Sequence, residues 1–385
     1  MYDCIVIGAG IAGAVCARKL AEEADKKVLV IERRNHIGGN CYDAPDEYGI
    51  LIHEYGPHIF HTGMEDVYEY LSRFTEWYAF GHEVVAKVGE TLIPVPFNLN
   101  TLHMVYEKEK ADRLEKKLIE TYGEGSRVPI MKLRENEDPD IREIAQYVYE
   151  NIFLKYTMKQ WGQKPEEIST EVTGRVPVLI SHDNRYFQDK YQGVPKDGFT
   201  PMFEHMLDHE NITVLLETEC KDRLELQENG ILFDGQPFEG DVVYTGALDE
   251  LFCCRFGRLP YRSLDFCFEH YDENSYQGHS VVNYTVSEKY TRITEFRFLT
   301  GQEDGEGTTI VKEYPFAYSG AKGEIPYYAI LNDENQALYE KYRALTAGIP
   351  KFHLLGRLAE YKYYNIDAMT KKAMELADHI MGQEG

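Results

Sequence analysis

The chain has 385 residues, 43% of them apolar, and carries a formal net charge of −24. Its length predicts about two or three domains with cores of their own, and its charge argues against nucleic acid and anionic membranes as partners, since both select basic patches. No apolar run reaches the roughly 18 residues that span a membrane, Asp3 interrupts what would be a signal peptide's charged leader, and the seven cysteines form no C-x-x-C, so a cytoplasmic chain with reduced thiols, no disulfide framework and no metal site is expected.

CIVIGAGIAGAVCARKL reads as a buried strand, a tight turn and a helix, with Gly8, Gly10 and Gly13 in G-x-G-x-x-G spacing and Ala12 inside the turn. The first glycine permits the turn, the second lets backbone N–H groups approach a pyrophosphate, and the third lets helix pack on strand. The helix N-terminus adds about half a positive charge at that place. A second apolar strand, KVLVIE, ends at Glu32, 19 residues after Gly13, where a carboxylate can accept from a ribose hydroxyl. Glu32 and Arg33 followed by Gly38 and Gly39 make E-R-x-x-x-x-G-G, which resembles the flavin-binding members of this fold more than the nicotinamide dehydrogenases. FAD is therefore the expected dinucleotide, with Gly38 and Gly39 letting the chain pass close to its flavin side.

Further along, HEVVAKVGETLIPVP is a short β segment, and residues 101 to 175 are helical in pattern. LHMVYEKEKADRLEKKLIETYG is a charged helix with a solvated face. In the helix after it, Asp138 caps, Pro139 takes the first position, and Ile141, Ile144, Ala145, Val148 and Ile152 form one apolar face. Trp161 falls at the C-terminal end of this helix, before Gly162. A large aromatic there either swings over a ligand or anchors the adjoining loop. NITVLLETEC and DVVYTGALDELF are further strand candidates, and residues 262 to 330 alternate like antiparallel strands in RSLDFCFEHY, HSVVNYTV, RITEFRFL and TTIVKEYP. An amphipathic helix closes the chain, with Asp367 as its N-cap and Met369, Ala373, Leu376 and Ile380 on one face. The fold class expected is α/β: a Rossmann-like FAD-binding domain with an inserted helical domain and an antiparallel β-sheet domain. The FAD domain is discontinuous, over residues 1–80, 200–250 and 350–385, the helical domain covers 101–175, and the sheet domain takes 81–100, 176–199 and 251–349.

Taken in order, GPHIFHT (56–62), YTMKQWG (156–162), TGRVPV (173–178), RYF (185–187), LPYRSLDF (259–266), YTRITEF (290–296), IPYYAI (325–330) and LLGRLAEYKYYNID (354–367) resemble the UDP-galactopyranose mutases. The resemblance runs along the whole chain. It implies a flavoenzyme that interconverts UDP-galactopyranose and UDP-galactofuranose with no net redox change, using N5 of reduced FAD as the nucleophile toward the anomeric carbon. It makes Trp161 part of a substrate lid and Tyr156 the uracil-stacking residue, with Phe153 a nearby second aromatic candidate that serves equally well as a core residue. It assigns catalytic roles to Arg175, Arg292 and His58, the last against the flavin. It gives diphosphate contacts to Arg262, Tyr186 and the pair Tyr327 and Tyr328, and places Tyr363 and Asn365 in the substrate pocket. Arg357, Asp367 and Met369 join Gly8, Gly10, Ala12, Gly13, Glu32, Arg33, Gly39, Asn40 and His58 around the cofactor. A homodimer is also implied. One departure stands at Asn365, where these enzymes often carry an acid.

The residues agree with that chemistry. A diphosphate bound to so acidic a chain needs arginines gathered locally, and no G-x-S-x-G or Cys–His arrangement supplies a protein nucleophile. His58 and His61 stand three apart but lack further ligands. An amine-oxidase-like FAD oxidoreductase is the alternative, and a binding protein without turnover is a third reading.

Overall fold

The computed structural model describes residues 2–162, 177–228 and 230–382. Its first strand, Cys4–Ile7, is buried along its whole length because it lies in the middle of a five-stranded parallel sheet. The order across the sheet is Ile212–Leu215, Val28–Ile31, Cys4–Ile7, Asp241–Tyr244 and Phe352–Leu354. A parallel sheet needs cover on both faces. On one face the Ile11–Ala24, Phe199–Leu207 and Ile366–Gly382 helices close over Cys4, Val6, Val28 and Val30 in a single apolar cluster. On the other, Ile5, Ile7, Leu29 and Ile31 meet Leu224 and Ile231. Those two belong to a small antiparallel sheet, Leu224–Gln227, Gly230–Phe233 and Gln236–Phe238, which the sequence patterning did not single out.

The last helix begins at Ile366, so Asp367 sits inside its first turn and is not the N-cap. The Asp367 carboxylate accepts from the adjacent Ala368 N–H, at 2.7 Å. Asn365 stands just outside the helix, its carbonyl receiving the Met369 N–H at 3.0 Å.

The charged helical stretch is two helices, Leu99–Val105 and Lys108–Tyr122, the first opened by a capping box between Asn98 and Thr101. Asp138 caps the Pro139–Val148 helix as expected, accepting from the Asp140 N–H at 2.9 Å. A wide π turn, Tyr149–Phe153, continues the chain into a separate helix, Leu154–Trp161, that ends at Gly162 in the left-handed conformation. A π turn rotates the chain relative to a regular helix. Phe153 thereby points into the apolar core of the helical unit, only 3% exposed.

The third layer is a seven-stranded sheet: Tyr328–Ala329, Tyr261–Tyr271, Thr308–Ala317, Arg292–Glu295, Val281–Tyr284, Val84–Val88 and Thr91–Val95. The HEVVAKVGETLIPVP hairpin joins its edge. Every pairing is antiparallel except the one between Val281–Tyr284 and Val84–Val88, where a hairpin from far upstream in the chain docks in parallel. The FRFL segment is helical (Phe296–Thr300), and a helix at Asp333–Thr346, capped by Asn332, was not foreseen. Register decides what shares a face. Asn283 lies opposite Arg292, Arg292 opposite Glu313, and Glu313 opposite Phe266, which makes one row across four strands.

Candidate active site

Two ligand-sized cavities of about 630 and about 640 Å³ share part of their lining, the second bordered by this sheet. The first is lined by the glycine turn, including Gly8, Gly10 and Ala12, and by Glu32, Arg33, Gly39, Asn40, Arg357 and Met369. Gly13 sits behind it, where a Cβ would stand 1.9 Å from the Gly8 carbonyl oxygen, so it serves close helix–strand packing. A Cβ on Gly39, at φ +57°, would come within 2.9 Å of the Gly10 Cα, so the two predicted glycine segments form one cradle of bare backbone. The Glu32 carboxylate accepts from the Ala9 and Arg34 N–H groups, each at 2.9 Å, and braces that cradle. Arg33 pairs with Glu250 at 3.2 Å. Arg34, which sequence reasoning did not single out, donates to Asn40 at 2.9 Å and lies 4.5 Å over the Tyr55 ring, while its other terminal nitrogen is buried without a partner. A cavity with exposed backbone N–H groups, a carboxylate at the second strand and an unpaired guanidinium donor fits a dinucleotide with a ring system beyond its pyrophosphate. Asp367 lines neither cavity.

The second cavity brings together His58, Tyr156, Tyr186, Arg292, Tyr327, Tyr328, Tyr363 and Asn365 from segments up to 307 residues apart. Asn40, His58, Arg357, Tyr364, Asn365 and Ile366 line both cavities and so mark their seam. There His58 donates from Nδ1 to the Gly56 carbonyl at 2.9 Å. A carbonyl only accepts, so the proton is on Nδ1 and Nε2 keeps its lone pair. Burial, followed by the neighbouring His53 and Arg357, pulls the His58 pKa down to about 3, and the ring is neutral. Arg357 donates to the Tyr364 carbonyl at 2.6 Å and lies 4.5 Å over the Tyr363 ring.

Arg292 holds a hydrogen-bonded ion pair with Glu313 at 2.5 Å. Burial opposes its charge, but Glu313, then Tyr328 and Tyr156, outweigh burial and leave its pKa well above the ordinary value. Burial pushes Tyr328 up to about 12 and raises Tyr156 and Tyr327 as well, so these hydroxyls remain protonated donors.

Three expected residues lie elsewhere. Phe153 is in the helical core and lines neither cavity. Arg262 is 9% exposed and donates to the Gln160 carbonyl at 2.9 Å and the Lys159 carbonyl at 3.1 Å, closing the end of the Leu154–Trp161 helix. Trp161 lies beside the second cavity with its ring 5.6 Å from that of Tyr328. Arg175 lies outside the described residues. His58 and His61 both line the second cavity but have separate partners, His61 bonding Asp189 at 2.8 Å and stacking on Phe187, and no three His, Cys, Asp or Glu side chains converge on a metal position among the described residues.

Sequence reasoning missed His82, Asn283 and Glu313. His82 and Asn283 line the second cavity with a buried, unpaired polar atom each, as does Tyr327, and one oxygen of Glu313 is likewise unpaired. Such atoms are costly to leave unpaired and point to a polar ligand or ordered water. Among the described residues no helix is long and apolar enough to cross a membrane.

A family model described as UDP-galactopyranose mutase matches residues 151–363, and one described as an NAD(P)-binding Rossmann-like domain matches residues 6–74. The chain is 36% identical to UDP-galactopyranose mutase of Mycoplasma genitalium, over 99% of this chain and 95% of the relative. It is 35% identical to dTDP-fucopyranose mutase of Escherichia coli, over 98% of each. A crystal structure of reduced UDP-galactopyranose mutase superimposes with a TM-score of 0.73 at 16% identity, covering 100% of this chain and 94% of that one, a likeness of fold.

Proposed function

The chain belongs to the UDP-galactopyranose mutase family, and on that premise we propose that it interconverts UDP-galactopyranose and UDP-galactofuranose with FAD in its reduced state. The seam between the two cavities carries this reading: a cofactor cradle opens directly onto a pocket lined by Arg292 and seven tyrosines. Gly8, Gly10, Gly39, Glu32, Arg34, Asn40, Arg357 and Met369 would hold FAD. Bound there, reduced FAD would supply a nucleophile for the anomeric carbon with no net oxidation of the sugar.

The residues of the chain do the rest. Tyr156 stacks on the base. Arg292, fixed by Glu313, meets the diphosphate as a permanent cation, stabilises it as a leaving group and keeps it for the return step. The catalytic role of Arg175 and the diphosphate role of Arg262 stay part of the proposal, with Arg262 reaching phosphate only by releasing the helix end that it closes. Tyr186, Tyr327, Tyr328 and Tyr363 donate hydroxyls, and burial keeps the Tyr328 proton in place. Neutral His58 offers the cofactor a lone pair without adding positive charge. The Asn365 amide can both donate and accept at the seam, and Trp161 helps to exclude water from the opened sugar.

The test is to incubate the purified holoprotein with UDP-galactofuranose, with and without dithionite, and to separate the products by chromatography. Conversion to UDP-galactopyranose only under reduction is expected. No conversion in either state, with FAD bound, would sink the reading. A dTDP-linked 6-deoxy sugar is a second reading, favoured by the Escherichia coli relative. The kcat/KM values for the two nucleotide sugars decide between them. The amine-oxidase-like alternative yields to family membership.

A further inference from the structure

One side chain joins the helix that carries Tyr156 and Trp161 to the turn that delivers Arg292. Lys159 projects from that helix, and its ammonium donates to the main-chain carbonyls of Tyr284, Glu288 (3.1 Å) and Tyr290 (3.2 Å). An ammonium has three donors, and here three carbonyls accept from it. Tyr284 ends one strand of the seven-stranded sheet, Tyr290 stands two residues before Arg292, and Glu288 lies between them. The turn therefore closes around the Lys159 nitrogen.

The neighbouring contacts make the arrangement stiffer. The Lys159 carbonyl receives Arg262, so this residue is gripped at its main chain as well as at its side-chain end. The Thr285 hydroxyl donates to the Asn151 carbonyl at 2.6 Å, tying the turn to the preceding π turn. Tyr284 and Thr291 close the strand ends on each other at 2.8 Å. The helical unit and the sheet are also held by a shared apolar cluster that includes Val84, Val281, Ile152 and Phe153. The fold thus has other attachments, and the shape of the turn before Arg292 is what the Lys159 ammonium sets.

We propose that Lys159 is a positioning residue: it fixes the distance between the base-stacking side of the pocket, Tyr156 and Trp161, and the diphosphate-binding Arg292. This rests on the proposed nucleotide-sugar reading. A ligand that touches both sides should feel the loss of Lys159, and a ligand that touches only one side should not.

The experiment uses full-length holoprotein with Lys159→Met, which keeps the length and packing of the stem and removes all three donors, and with Lys159→Arg, which keeps a charged donor. Affinities for uridine and for UDP are measured by tryptophan fluorescence, and kcat and KM with the reduced enzyme. Lys159→Met should bind uridine like the wild type, bind UDP about tenfold more weakly, and lose kcat, with FAD content unchanged. Lys159→Arg should restore most of the UDP affinity. An unchanged ratio of UDP to uridine affinity in Lys159→Met overturns the proposal, and so does an equal loss of both, which is what a merely structural role would give. If Lys159→Met does not fold, Lys159→Gln, whose amide is too short to reach the three carbonyls, carries the same expectation. Wild-type protein that binds neither ligand would sink the nucleotide-sugar reading itself, whereas wild-type binding with an unchanged ratio in the variant sinks only the role of Lys159.

Discussion

Glu313→Gln isolates the part of the site that holds Arg292. The carboxylate is fully buried, its pair with Arg292 is 2.5 Å long, and the guanidinium side chain is 24% exposed. Removing one partner of a buried ion pair costs about 3–5 kcal/mol. Glutamine keeps an acceptor of the same reach and so retains about 0.5–1.5 kcal/mol of hydrogen bonding. The ligand-free protein should therefore lose roughly 2–4 kcal/mol of stability. The effect on UDP has the opposite sign. In Glu313→Gln, Arg292 loses this counter-charge until the diphosphate arrives, so UDP should bind more tightly and restore much of the lost stability. Chemical denaturation with and without UDP, together with a UDP titration, reads both quantities. A variant as stable as the wild type, or one that UDP stabilises less than it stabilises the wild type, would refute the reasoning that the diphosphate takes over the counter-charge Glu313 gives to Arg292.

Arg175→Ala should abolish turnover while FAD remains bound; near-normal kcat would remove that residue from the chemistry. Tyr156→Ala should cost about 1–3 kcal/mol of UDP affinity, the range for aromatic stacking on a base, and a change confined to kcat would place the base elsewhere. Stability should fall with acid in a defined window. Burial pulls His53 down from 6.5 to about 4, and His58 and His82 to about 3, so the unfolded chain binds more protons below pH 6.5. Their contribution is fully present above pH 6.5 and declines as pH falls toward 3. Denaturant midpoints between pH 7 and pH 4 should drop, and His82→Asn should flatten part of that slope; equal slopes would show that this imidazole is not buried neutral.

The dinucleotide cradle was readable from residues because its geometry is local. Gly8, Gly10 and Gly13 lie within one turn, and Glu32 comes next on the neighbouring strand. The Asp138 cap was readable for the same reason. The features that failed to show depend on distance or on phase. Asn283 and Glu313 look like ordinary polar positions of alternating strands, and only register sets both of them beside Arg292. Phe153 is open in the sequence between the base and the core, and the π turn at Tyr149–Phe153 sends it into the core. Arg262 carries no local sign that it closes the end of a helix whose residues lie about a hundred positions earlier. Asp367 has the composition of a cap, but the helix starts at Ile366 and leaves Asn365 at the seam.

The five-stranded sheet also sets the order in which this chain can acquire its cofactor. Its strands come from residues 4–31, 212–244 and 352–354, and the helix that seals the first glycine turn ends at Gly382. Loop closure over such separations is slow compared with local folding. During synthesis the first sixty residues therefore carry a phosphate-binding turn with neither of its outer walls, and apolar strands with one face bare. FAD can be captured stably only after residues 352–382 have docked. A ribosome-bound chain that stops short of them should hold no flavin, however complete its glycine motif, and the waiting strands are where a chaperone would be needed.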